Sequence, residues 1–222
     1  MRYLAAILCA LLAVVAVYAG TTTVVVMRST GGGGGGTAVS DDFNRTNAED
    51  LGANWSVASG VSFDIDTNRL SMVDGIGYNY WSANTFANDQ YSQATLSAVG
   101  DSSRPGVTVR AATGAATAYW GMIQTVDESG YDDWACFAAI RYCNAGDCST
   151  GIGTDYRLGT GICTAFDDVP FRLEVSGTSL TFKVNGTTRV TGTHSALTGG
   201  RAGLSTNSGG GGFAEDWSGG DL

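Results

Sequence analysis

Phe171 to Val190 reads FRLEVSGTSLTFKVNGTTRV, two alternating runs split by one turn and followed by another. Phe171, Leu173 and Val175 alternate with Arg172 and Glu174, and Leu180, Phe182 and Val184 alternate with Thr181 and Lys183. Successive side chains of a strand point to opposite faces, so each run has one apolar face and one wet face. Ser176-Gly177-Thr178 separates the runs. Asn185-Gly186 then supplies two residues that tolerate the positive φ of a tight hairpin. The stretch predicts a β-meander. A sheet with one apolar face needs a second layer to cover it, and the rest of the chain is expected to provide that layer.

The 222 residues suffice for one sandwich of ordinary size. With 33 glycines and 2 prolines, the turns must rest on Gly, Asn, Asp and Ser. The net charge is −9, and Lys183 is the only lysine among 12 basic residues. An acidic surface without a basic cluster repels phosphate backbones, which argues against a nucleic-acid partner.

Residues 1–27 read as a signal peptide or a membrane anchor. Tyr3 to Ala19 is an apolar run behind Arg2, and Val17-Tyr18-Ala19 resembles a signal-peptidase site. Thr21 to Met27 extends the run to about 25 residues, a length that can span a bilayer, with Arg28 as the stop. Both alternatives stay open, and both export the downstream residues to a secreted or surface-anchored location. Membrane contact is expected only through this segment, if it is uncleaved. Residues 28–38 include the tract Gly31 to Gly36, a flexible tether. The folded domain is expected over residues 39–222.

Within it, short alternating segments recur between turn signals. They include Trp55 to Val57, Val61 to Ile65, Arg69 to Val73, Gly77 to Trp81, Tyr91 to Ala98, Gly106 to Ala111 and Ala118 to Val126. Trp134 to Tyr142, Asp155 to Cys163, Arg201 to Thr206 and Phe213 to Trp217 continue the series. With the meander they make about fourteen strands, and no stretch holds a helical period. The reading is all-β and two-layered.

The order DDFNR, LGANWSV, FDIDTNRLSM, DQYSQATLS, GVTVRA, FRLEVSGTSLTFKVNGT and ALTGGRAGLSTN resembles the concanavalin A-like lectin/glucanase jelly rolls of the laminin-G-like kind. The resemblance covers Val39 to Leu222. It implies a two-sheet antiparallel jelly-roll sandwich whose first and last strands pair, with Asp41 to Asn44 beside Phe213 to Trp217. It also implies sugar binding on the concave sheet and, in many members, a calcium ion. Pairing of the terminal strands would bring Asp41, Asp42 and Asp216 together, and a hard cation relieves the repulsion of neighbouring carboxylates. These three are the candidate metal ligands for a structural calcium.

Cys9 lies in the apolar run, and Cys136, Cys143, Cys148 and Cys163 form an even set in one segment. In an exported protein that reads as two disulfides. If Trp134–Tyr142 and Asp155–Cys163 form a hairpin, pairing Cys136 with Cys163 sets Cys143 opposite Tyr156 and leaves it free to close a small loop with Cys148. This is the expected pairing among three connectivities.

A glycosidase needs two carboxyl groups flanking the scissile bond. The glycanases of this fold resemble one another in a Glu-x-Asp-x-Glu strand, and Glu49, Glu128, Glu174 and Glu215 fall in no such pattern. Asp64-Ile65-Asp66 comes nearest, but it runs into a turn. His194 is the only histidine and is expected exposed in a loop. Aromatic residues are dense from Tyr78 to Trp134, and sugar rings stack on such side chains. The candidate ligand-binding residues are Arg110, Tyr119, Gln124, Trp81 and Trp134. The chain is thus expected to be an exported, non-catalytic, lectin-like module that binds carbohydrate. A structural or adhesive surface protein is the alternative, and a glycan hydrolase stands behind both.

Overall fold

The computed structural model describes residues 36–72, 76–97, 104–127, 134–160, 163–166, 168–207 and 212–222. The apolar segment 1–27, most of the glycine tract and Tyr131 lie outside these residues. Among the described residues no helix is long and apolar enough to cross a membrane.

The chain folds as β1 (Ala38–Asp41), β2 (Trp55–Gly60), β3 (Asp64–Asp66), β4 (Arg69–Met72) and β5 (Ile76–Trp81). It continues as β6 (Gln90–Ser97), β7 (Gly106–Ala111), β8 (Ala118–Asp127), β9 (Trp134–Asn144), β10 (Asp147–Gly151) and β11 (Tyr156–Thr160). A short 3-10 turn at Cys163–Phe166 leads into β12 (Val169–Ser176), β13 (Ser179–Val184), β14 (Thr187–Thr193), β15 (Arg201–Asn207) and β16 (Gly212–Asp221). Two antiparallel sheets result. The meander sheet runs β14-β13-β12-β6-β16-β4-β3, with β1 also on β16. The cleft sheet runs β10-β9-β8-β7-β15-β5-β2, with β11 also on β9.

The meander forms as its alternation requires. Phe171 pairs with Val184, Leu173 with Phe182 and Val175 with Leu180, and all six side chains are buried. Asn185 and Gly186 turn the chain at φ 50° and 71°, values that Asn and Gly reach at little steric cost. From the cleft sheet Val107, Val109, Tyr119, Ile123 and Ile140 complete the same core. The layers meet closely at Gly121, where a Cβ would stand 2.6 Å from the Phe182 ring. Trp55, Trp81 and Trp217 fill one end of the sandwich, with ring centroids 4.7 to 5.6 Å apart. Each of these indoles donates within the protein, to Asp41 Oδ2, Asn84 Oδ1 and Ser92 Oγ respectively.

Four expectations shift in detail. β1 begins at Ala38, one residue before the expected boundary. The terminal strands do pair, but Ala38 to Asp41 lie against Gly220 to Trp217, further along β16 than expected. Val61 to Phe63 precede β3 rather than forming part of it. The disulfides are Cys136–Cys163 and Cys143–Cys148, yet the β9–β11 register sets Tyr156 opposite Ala138. Cys143 instead lies beside the β9–β10 turn, in a hairpin where Asn144 pairs with Asp147.

Candidate ligand cleft

On β8 the two-residue period sends Tyr119 and Ile123 into the core and Trp120, Met122 and Gln124 to the opposite face. The pairings carry that outer face across the sheet. One row runs Tyr80, Gly203, Thr108, Trp120, Arg141, Gly151. The next runs Tyr78, Ser205, Gly106, Met122, Ala139. Gly106 lets the Trp120 indole lie across it: a Cβ there would stand 2.3 Å from Nε1.

At the β9–β10 end the face opens into a cleft of about 330 Å³, lined by Arg104, Trp120, Met122, Gln124, Arg141, Cys148 and Ser149. Cys143–Cys148 ties β10 to β9 and so forms part of the wall. The Tyr78 phenol donates to Cys148 Sγ at 2.8 Å, since a disulfide sulfur carries no proton. Burial pushes that phenol up to about 12, so it stays a neutral donor at physiological pH. Arg141 is held from outside the lining by Asp155, Nη1 to Oδ1 at 2.6 Å.

One polar group on this face, Trp120 Nε1, has no partner among the described residues, and its side chain is fully buried. Native structures satisfy nearly all buried donors, so each exception asks for a reason. Here the contrast is internal. Trp55, Trp81 and Trp217 all donate to protein oxygens, whereas Trp120, at the cleft, does not.

Of the expected ligand residues whose side chains are described, Gln124 alone lines this cleft. Trp81 is buried in the tryptophan cluster. Tyr119 faces the core, and its hydroxyl accepts from the Leu197 amide at 2.9 Å. Arg110 is buried at the end of β7 with φ 52°. Its guanidinium donates to Asn88 O at 2.9 Å and Leu197 O at 2.7 Å, joining the segments that precede β6 and β15. These three are corrections, because each side chain is committed to packing. The Trp134 backbone pairs with Asp127, and its side chain lies outside the described residues. His194 also departs from expectation. It is half-buried, with its ring edge-on to Tyr119 at 5.6 Å and 4.7 Å from Tyr142.

Arg104, Met122, Arg141 and Ser149 lie outside the expected set, and Trp120 belongs to the aromatic-dense stretch without being singled out in it. The signal that could have found Trp120 is its place beside Tyr119. Adjacent strand residues cannot share a face, so one of these two aromatics had to point away from the core.

Asp41, Asp42 and Asp216 do line one cleft, of about 260 Å³, with Ser40, Gln93, Trp217 and Ser218. Asp41 is nevertheless buried and occupied. Its Oδ1 accepts from the Phe43 amide and Arg45 Nη1, and its Oδ2 from Trp55 Nε1 and Arg45 Nη2. Asp42 and Asp216 each give one oxygen to a backbone amide, of Asn44 and Thr95. Calcium takes six to eight oxygen ligands, and no group of three His, Cys, Asp or Glu residues among the described ones could hold a metal. The set fits calcium poorly.

No family model matches the chain, and no curated protein does. Solved structures match in fold. The carbohydrate recognition domain of Emp47p has a TM-score of 0.55 at 8% identity, covering 82% of this chain and 93% of that one. The apo Crh5 transglycosylase has a TM-score of 0.55 at 11% identity, covering 83% and 84%. The carbohydrate-binding module CBM66 from Bacillus subtilis has a TM-score of 0.50 at 13% identity, covering 76% and 92%. The fold is a concanavalin A-like jelly roll, an architecture shared by proteins that bind glycans and proteins that process them.

Proposed function

We propose that this domain is an exported, non-catalytic module that binds carbohydrate in the cleft beside Trp120. The observation that carries this reading is the buried, unpartnered Trp120 N–H at a cleft also lined by a side-chain amide, a hydroxyl and guanidinium groups. Such a mixture of apolar wall and convergent polar groups suits a glycan's C–H faces and hydroxyls. Binding rather than hydrolysis is favoured because the described lining contains no carboxyl group, and glycosidic cleavage by this fold needs two. The similarity in fold to a carbohydrate-binding module and a carbohydrate recognition domain supports the same reading. Two disulfides support export, since such bonds persist in oxidising compartments.

The test is a glycan array with the purified protein, followed by reducing-sugar release on every glycan that binds. Binding without release is the expected result. Release would move the protein among the hydrolases, and no binding to any glycan would leave the adhesive alternative.

A further inference from the structure

We infer that the cleft takes an acidic saccharide, held through its carboxylate or sulfate by Arg104; this rests on the glycan-binding reading above. The donor and acceptor inventory of the described lining points there. Arg104, Arg141 and Trp120 can only donate, whereas Gln124 and Ser149 can both donate and accept. A neutral sugar presents hydroxyls that must themselves donate, and sites for them need acceptors in number. This lining is rich in donors and holds no carboxylate, so it matches a ligand group made of acceptors alone.

Charge points the same way. The protein carries −9 overall, yet its cleft is lined by two arginines. Asp155 neutralises Arg141 through a 2.5 Å contact. Arg104 is exposed, and no described carboxylate lies within ion-pair distance of it. A guanidinium presents a planar fork of N–H groups that matches carboxylate and sulfate oxygens in pairs. The orphaned Trp120 N–H would add a neutral donor to the same ligand. An acidic polymer would be repelled by most of this surface and accepted at one place, which confers selectivity as well as attachment.

The experiment is affinity electrophoresis of the protein in three gels, containing polygalacturonate, a sulfated galactan or a neutral β-glucan. Retardation by one or both acidic polymers is expected, and the stronger of the two identifies carboxylate or sulfate as the group read. Arg104→Gln should weaken that retardation about tenfold, in line with loss of a charge-assisted hydrogen bond, and Arg104→Lys should restore part of it. Arg172→Gln, on the meander sheet, should leave it unchanged. If the neutral glucan retards the protein equally and Arg104→Gln has no effect, the acidic specificity is overturned while glycan binding stands. If Arg172→Gln weakens binding as much as Arg104→Gln, the assignment to this cleft is overturned. Failure of all three gels and of the array overturns both readings.

Discussion

Asp41 accepts from the Phe43 amide, the Arg45 guanidinium and the Trp55 indole while itself buried. Removing one partner of a buried charge pair strands the other, so Asp41→Ala should cost about 3 kcal/mol, read as a lower urea midpoint. Because those donors already occupy Asp41, the thermal midpoint of the unaltered protein should not move with added calcium or with chelator. A rise that chelator reverses would show the donor set to be larger than described. Glu174 offers a pH test. Burial opposes its ionisation, but hydrogen bonds from Lys183 and Arg172 and the charges of both outweigh it and hold the carboxyl below 4.5. A depressed folded pKa contributes stability above the unfolded value and loses it as pH falls through the folded one. Stability should therefore drop below about pH 4.5, and Glu174→Gln should flatten that part of a urea-midpoint profile.

At the scale of elements, the two disulfides differ in the length of chain they close. Cys136–Cys163 spans 27 residues and Cys143–Cys148 spans 5, so removal by paired Ala substitution should cost about 3.5 and 2 kcal/mol on loop-closure entropy. The smaller bridge also forms cleft wall, so its loss should weaken glycan binding more than the larger one does. Denaturation and gel retardation of the two variants would check both statements. The same hairpin marks where the sequence stopped being informative. β12 and β13 alternate strictly and were legible residue by residue. β10 reads Asp-Cys-Ser-Thr-Gly, a largely exposed strand with no apolar period to reveal it. Its existence depends on the turn at Ala145-Gly146, at φ 50° and 90°, which alanine does not advertise. The cleft was hidden for a related reason. Alternation at Tyr119-Trp120 establishes that the two aromatics face opposite ways, but only packing against the meander sheet decides which is inside. Choosing Tyr119 joined a core-facing side chain to Gln124, which faces the cleft. Arg110 misled differently, since its burial depends on carbonyls of Asn88 and Leu197 that are distant in sequence.

Across the whole molecule the sandwich was legible because its pattern repeats in most strands, whereas the cleft is assembled from β8, β9, β10 and the approach to β7. The ends of the domain are also joined by topology. β1 lies on β16, with Ala38 opposite Gly220 and Asp41 opposite Trp217, and the Thr37 amide donates to Asp221 Oδ2 at 2.8 Å. Chain entry and chain exit are therefore neighbours on one sheet. Tension applied between them opens a zipper from its free end, parting one rung at a time instead of shearing four together. The last rung is Asp41, where the peeling front meets the buried carboxylate and its donors. In an optical trap the first event should be a short extension at low force, halted there until Arg45 and Trp55 let go. A domain built this way yields a few residues of slack under a brief pull, while the Trp120 cleft, on the other sheet, stays intact.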